Sequence, residues 1–340
     1  MYISVIIPTR NRASRLNITL DSILKQSLSQ DDYEVLVVDN GSTDSTEAVV
    51  SHFYGKIKNL KYFLEPSPGL HIGRHCGLKH AKTDILVYAD DDIRAFPTWL
   101  ETIKETFEQN PEVVLVGGKN LAEYECNPPS WVLKLWGKCE FGSYLSHYSV
   151  LDFGDEIKEI SPYYVWGCNF SIRRNKLIEV GGFHPDGMPR EYLEYRGDGE
   201  TAVSESILMN NWKTMYHPAA SIYHFVSKHR MTVEYLYNRA YAQGISQSYT
   251  DIRRSNGKFN SGSLDWFRQG QKIYNIGKRY CYRWLQYIFG KHDPEMEFIQ
   301  KTLQKGFLDG YNFHQQKVGC TPEILSWVMR KDYFDAKIRI

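Results

Sequence analysis

Short β-branched runs alternate with helical patterns from the first residues of this chain, and no other feature restricts its fold so strongly. The strand-like runs are Ile3 to Ile7, Glu34 to Asp39, Tyr62 to Leu64, Asp84 to Ala89 and Val113 to Val116. Helical periodicity fills Ser14 to Leu28, Asp44 to Phe53, Ile72 to His80 and Pro97 to Gln109. Such succession predicts βαβ units: an α/β fold with a mostly parallel sheet flanked by helices. Ligands of these sheets bind beyond the carboxyl ends of the strands. The residues there are polar and unusual: Pro8-Thr9-Arg10-Asn11-Arg12 after the first strand, Asp39-Asn40-Gly41-Ser42 after the second, and Asp90-Asp91-Asp92 after the fourth.

The 340 residues exceed what one core comfortably holds, so one large domain and a smaller one are expected. Residues 119–161 read as irregular, rich in Trp, Tyr, Gly and Pro, which suits a substrate-facing region. After Gly181-Gly182-Phe183, a helix from Glu200 to Asn211 leads to a strand pair around Lys213 to His217 and Ser221 to His224. The boundary is placed there, giving a sheet domain over 1–224 and a helical region over 225–340. Helices are expected over Thr232 to Tyr249, Leu264 to Tyr287, Glu295 to Phe313 and Pro322 to Met329.

Charge and cysteine usage exclude several classes. Forty-one Lys and Arg against forty Asp and Glu leave no chain-wide field that argues for nucleic acid. Six scattered cysteines without a C-x-x-C pair suggest neither a zinc knuckle nor a disulfide scaffold. No signal peptide and no apolar stretch near the roughly 20 residues of a membrane span are read, so a cytoplasmic protein is expected, at most peripheral at the inner face of the membrane. Residues 251–292 carry nine Lys or Arg against two Asp or Glu, interleaved with aromatics such as Trp266, Tyr280 and Trp284. That segment reads either as a basic face for anionic lipid or a lipid-linked acceptor, or as packing within a helical bundle, with Ile273, Ile276, Tyr280, Trp284 and Ile288 near helical spacing.

Three adjacent carboxylates at a strand end raise one another's pKa unless a cation or hydrogen-bond donors neutralise them, and Mg²⁺ or Mn²⁺ with substrate phosphates is the natural partner of such a site. A solvated acidic turn is the alternative. Asp39, after the second strand, suits ribose or base. It also suits a helix N-cap, a role Asp44 or Ser42 can fill. A dinucleotide enzyme would need G-x-G-x-x-G after the first strand, and Pro8 to Arg12 does not supply it.

With these residues in view, the chain resembles the family 2 glycosyltransferases of GT-A fold. The resemblance rests on Val5-Ile6-Ile7-Pro8-Thr9-Arg10-Asn11-Arg12, Val37-Val38-Asp39-Asn40-Gly41-Ser42-Thr43-Asp44, Gly69 with Arg74 and Gly77, Asp84 through Asp92, and Gly181-Gly182-Phe183, covering roughly residues 3 to 224. It implies an inverting, metal-dependent transfer of a sugar from a nucleoside diphosphate donor, with a UDP-sugar expected, to a glycan or lipid-linked hydroxyl. It also implies an acceptor side within 119–224.

The implied roles fall on single residues. Pro8, Thr9, Asn11, Arg12 and Asp39 would line the donor pocket, and Arg74 would stand near base and phosphates. Asp90 and Asp91 would reach ribose and sugar, and Asp92, with Asp90 and His224, would hold Mn²⁺ or Mg²⁺; His217 competes with His224. Cys76 stands where the family usually has Asn. Gly197-Asp198-Gly199-Glu200 matches the position of the catalytic base, with Glu200 as the base and Asp198 its rival; a helix-dipole role is the other reading of Glu200. Trp166, Gly167 and Asn169 match acceptor-side positions, and a buried Trp with a capping Asn would explain them as well. Arg283-Trp284 is similar to the Q-x-x-R-W motif of processive synthases, but Tyr280 stands where Gln is required, which argues against processivity. Two rivals are a sugar nucleotidyltransferase, which would want a Gly-rich phosphate loop, and a non-catalytic carbohydrate-binding scaffold on the same fold.

Overall fold

The computed structural model describes residues 2–259 and 293–336. Its strands are β1 Ile3–Thr9, β2 Tyr33–Asp39, β3 Leu60–Leu64, β4 Ile85–Ala89, β5 Ile93–Ala95, β6 Val113–Gly117 and β7 Asn120–Tyr124. There follow β8 Gly137–Cys139, β9 Gly142–Leu145, β10 Val150–Asp152, β11 Lys158–Glu159, β12 Asn169–Arg173, β13 Lys213–Tyr216 and β14 Ile222–Val226. The α-helices are α1 Ala13–Leu24, α2 Thr46–His52, α3 Leu70–His80, α4 Trp99–Gln109, α5 Ser130–Lys134, α6 Arg174–Glu179, α7 Thr201–Met209, α8 Val233–Arg254, α9 Pro294–Cys320 and α10 Pro322–Val328. The described residues divide into two compact units, 2–232 with 330–336, and 233–259 with 293–329.

The first unit is built on an eight-stranded sheet in the order β11-β13-β6-β12-β4-β1-β2-β3. The strands from β4 to β3 are parallel, as the alternating pattern predicts, while β12 runs antiparallel between β4 and β6. Every residue of β1 and β2 is buried, because helices cover both faces. The period of two sorts the side chains: Val5, Ile7, Val35, Val37 and Val87 enter one core, and Ile6, Leu36, Leu86 and Tyr88 the other. Pairing of Thr9 with Asp39 and of Ile6 with Tyr88 sets the carboxyl ends of β2, β1 and β4 side by side. Helix α3 lies hard against β1: a Cβ at Gly77 would stand 2.3 Å from Ile6 Cγ2, and one at Gly73 2.3 Å from Asn40 Oδ1. That closeness carries Arg74, on the same helix, beneath the rim.

Two expectations are corrected. Residues 119–161 are not irregular, since β7 to β10 join β5 and β14 in a second, six-stranded sheet ordered β5-β14-β7-β10-β9-β8. Its strands are three to five residues long, too short to show a period. Nor do β13 and β14 pair with each other. The turn closed by Ala220 N donating to His217 O moves the chain between sheets, leaving β13 parallel to β6 and β14 parallel to β7.

In the second unit, α8 and α9 pack through glycines: a Cβ at Gly310 would lie 2.0 Å from Tyr241 O, and one at Gly244 2.0 Å from Phe307 O. Asp293 caps α9 by accepting from Met296 N at 3.2 Å. No described helix is long and apolar enough to cross a membrane. The expected helix Leu264 to Tyr287, with most of the basic segment 251–292, lies outside the described residues.

Candidate active site

The strand ends bound a cleft of about 370 Å³ lined by Pro8, Thr9, Arg12, Asn40, Asp90 and Asp91 among others, with Gly69, Leu70 and Gly187 opposite. The acidic triplet is fixed from behind, where Thr19 Oγ1 of α1 donates to the carbonyls of Asp91 and Ile93 at 2.9 and 2.8 Å. Thr9 Oγ1 donates to Asp91 Oδ2 at 2.7 Å. Arg12 Nη1 spans the two following carboxylates, 2.9 Å from Asp91 Oδ1 and 2.8 Å from Asp92 Oδ2. Arg230, which sequence reasoning did not single out, stands 3.7 Å from the same Asp92 oxygen.

Three neighbouring acids thus have three different environments. Burial, with Asp92 adding to it, holds Asp90 above the usual carboxylate range against the pull of Arg74 and His224. Burial likewise outweighs Arg12 and pushes Asp91 up to about 6. For Asp92 burial is overcome by His224, Arg12 and Arg230, which hold it well below the ordinary range.

The opposite oxygen, Asp92 Oδ1, is buried and accepts no hydrogen bond. It faces His224 Nε2 at 3.3 Å, while His224 Nδ1 lies 2.8 Å from Tyr148 O. With Nδ1 donating to that carbonyl, Nε2 faces the carboxylate in one of two ways: as the N–H of an imidazolium, which pairs with Asp92 directly, or as a lone pair, which calls for a cation between the two acceptors. Asp90, Cys168 and His224 each offer a ligand atom within 4.8 Å of the others. Carboxylates suit Mn²⁺ or Mg²⁺ and a neutral imidazole is a credible further ligand for Mn²⁺, so the residues present fit a divalent ion. His217 is absent from this group; its Nδ1 accepts from Ala219 N in the local turn.

Glu200 opens α7 across from the triplet. Its Oε2 lies 3.2 Å from Arg74 Nη1, and its Oε1 accepts from Gly167 N at 3.3 Å. Arg74 is buried, with its guanidinium 4.9 Å from the Phe183 ring. Asp198 instead pairs with His184 Nδ1 at 2.7 Å and is nearly closed to solvent. Trp166 is half-buried and donates to Tyr163 O, whereas Asn169 is turned inward, accepting from Trp99 Nε1 and donating to Asn120 and Ala220 O. Asp39 accepts from Ser42 N and from Tyr62 OH. The helix-capping role falls to Asp44, which accepts from Ala13 N at the start of α1 and Thr46 N at the start of α2. Asn11 is exposed at φ 54°, its Oδ1 accepting from Thr43 N. Cys76 sits on α3, 3.8 Å from His80 Nδ1.

A two-sheet α/β unit with an acidic cleft at the strand ends is the GT-A glycosyltransferase architecture. The sequence profile described as glycosyl transferase family 2 matches residues 4–181, and the chain belongs to that family. A glucosyl-dolichyl phosphate glucuronosyltransferase of Haloferax volcanii is 25% identical over 264 residues, 74% of this chain and 78% of that protein. The glycosyltransferase AglE of the same organism is 35% identical over 118 residues, 34% of this chain and 38% of its own length. Among solved structures, the Pyrobaculum calidifontis mannosyltransferase in complex with GDP-Man and Mn²⁺ aligns at a TM-score of 0.52 and 17% identity, covering 98% of this chain and 88% of that one. The chain is therefore a glycosyltransferase.

Proposed function

We propose that the protein is an inverting, metal-dependent glycosyltransferase that moves a sugar from a nucleoside diphosphate donor, a UDP-sugar, to a hydroxyl of a glycan or lipid-linked glycan. One observation carries this reading: Asp90 and His224 bring ligand atoms within 4.8 Å of one another beside a carboxylate-lined cleft, with buried Asp92 Oδ1 3.3 Å from the same histidine. Pro8, Thr9, Asn11 and Asp39 bind base and ribose, Arg12 lines the donor site, and Asp90 and Asp91 orient ribose and donor sugar. Asp92, His224 and Asp90 hold the Mn²⁺ or Mg²⁺, which when bound neutralises charge on the departing diphosphate.

Glu200 takes the acceptor proton as that oxygen attacks the anomeric carbon opposite the leaving group. Glu200 as base, with Asp90, Asp91 and Asp92 given to donor and metal, is the arrangement of a single displacement, with inversion. Arg74 and Gly167 N hold that carboxylate in place. Trp166 serves the acceptor side, and Asn169 supports it from within. The Haloferax glucuronosyltransferase, by its name an enzyme of dolichyl phosphate sugars, supports a lipid-linked acceptor. We place the enzyme in the cytoplasm, and a lipid-linked acceptor would bring it into peripheral contact with the membrane.

Titration calorimetry of UDP, GDP and a panel of nucleotide sugars, with and without Mn²⁺, on wild type and Asp92→Ala tests the reading. Metal-dependent binding of one nucleotide, lost in Asp92→Ala, is expected. Absence of binding under every condition sinks it in favour of a scaffold or lectin.

A further inference from the structure

Cys168 has no part in the mechanism above, yet its Sγ lies within 4.8 Å of ligand atoms of both Asp90 and His224. It is 1% exposed, on the turn leading into β12, and its sulfur is not committed to strong partners. Asn120 Nδ2 donates to it at 3.4 Å, and it donates to Ser149 O at 3.9 Å. A divalent ion held by Asp90 and His224 would sit within reach of this sulfur, and its charge can replace the proton of a thiol that ligates it.

The geometry points to Cys168 as a further ligand of this centre, one that sets which metal the enzyme holds. Thiophilic ions such as Zn²⁺ and Co²⁺ recruit the sulfur as thiolate, its proton passing to solvent, while Mn²⁺ and Mg²⁺ are held by the oxygen and imidazole donors alone. The site then binds Zn²⁺ and Co²⁺ more tightly than an oxygen-rich nucleotide site would, and these ions displace Mn²⁺. This rests on the metal-site reading proposed above and adds to it a fourth residue and a selectivity.

The test is Co²⁺ titration of the full chain in the presence of UDP, followed by absorption, on wild type, Cys168→Ser and Cys168→Ala. The expected result is a sulfur-to-metal charge-transfer band saturating at one equivalent in wild type and lost in both variants. Co²⁺ affinity should fall roughly tenfold or more in the variants, as for loss of a metal-orienting group, while Mn²⁺ affinity, read by paramagnetic resonance, stays unchanged. X-ray absorption of the Zn²⁺-loaded wild type gives a readout independent of any variant: a sulfur neighbour at about 2.3 Å is expected. Co²⁺ bound at one equivalent without the band, or a band that survives Cys168→Ser, overturns the role of Cys168 and leaves the metal site standing. Failure of Co²⁺, Zn²⁺ and Mn²⁺ alike to bind overturns both.

Discussion

Arg74 Nη1 stands 3.2 Å from Glu200 Oε2, joining a buried guanidinium on α3 to the carboxylate that opens α7, 126 residues later in the chain. The pair fixes the proposed base at one oxygen while Gly167 N fixes the other. Glu200→Gln keeps the volume and the contact with Arg74 but cannot take a proton. It should lower turnover by roughly 10²–10⁴-fold with nucleotide affinity unchanged, measured as donor hydrolysis and by calorimetry. Asp198→Asn should instead act through loss of the His184 pair, mainly on stability. If Asp198→Asn silences turnover and Glu200→Gln does not, the roles exchange.

Removing the guanidinium is a separate matter. Arg74→Met should cost about 2 kcal/mol of stability, below the roughly 3–5 of a fully buried pair because a quarter of the Glu200 side chain meets solvent. Denaturant unfolding would read it, and donor hydrolysis should fall with it as Glu200 loses its anchor.

Gly167 offers a test that touches neither charge. A Cβ there would lie 1.9 Å from Arg74 Nη2, so the arginine sits where an alanine methyl would go. Gly167→Ala should cost about 1–3 kcal/mol as an overpacked site and depress turnover as Arg74→Met does. A variant that melts and turns over like wild type would show that Arg74 has room to move and that its position is not critical.

The rim was legible in the sequence because each of its parts follows a run of buried β-branched residues: Asp39 after Val37-Val38, Asp90 after Val87-Tyr88-Ala89. Helix-borne Arg74 was reached only through the family resemblance, since its place beneath the rim depends on how closely Gly73 and Gly77 let α3 approach β1. Thr19, Arg230 and Cys168 were missed for a related reason. Each sits on an element whose contact with the triplet depends on sheet order, and β12 beside β4 is an antiparallel insertion that no local pattern announces. Asp44 was weighed as one possible cap, but its bond to Ala13 N, 31 residues away in the chain, ties the start of α1 to the turn before α2.

Acid sensitivity should trace to a second buried pair of residues on α3. Burial pushes His71 down to about 3 and His75 down to about 4. His75 Nε2 accepts from Phe183 N at 3.0 Å, and Nδ1 lies 3.1 Å from Tyr333 O, so a second ring proton would break the first bond. Folded values below the unfolded value of about 6.5 mean that the unfolded chain binds more protons. Stability is then full above pH about 6.5 and is lost as pH falls toward 4, each histidine contributing up to about 1.4 kcal/mol per pH unit. The raised Asp90 and Asp91 act in the opposite sense, so the comparison is between variants. Urea unfolding from pH 7.5 to 4.5 should show a shallower slope for His75→Gln than for wild type, by roughly one such increment; equal slopes would show that His75 is not held neutral.

Arg12 bridges Asp91 and Asp92 on the very carboxylates proposed to serve donor and metal, so it acts as a counter-ion to them while no ion is bound. Its side chain is 46% exposed, free enough at its outer end to turn toward a diphosphate when a cation takes over the neutralisation of Asp92. Two opposite effects of Arg12→Ala follow. Mn²⁺ alone should bind several-fold more tightly, because a competing positive charge has gone; partly exposed ion pairs of this kind are worth up to about 1 kcal/mol. UDP with Mn²⁺ should bind more weakly, because the fork that would meet the phosphates has gone as well. Arg12→Lys should recover the metal competition and only part of the nucleotide affinity, since an ammonium reaches one carboxylate oxygen and a guanidinium two. Paramagnetic resonance for Mn²⁺ and calorimetry for UDP read the two effects separately. Weakening of both in Arg12→Ala would mean that Arg12 holds the carboxylates in shape for the ion instead of competing with it.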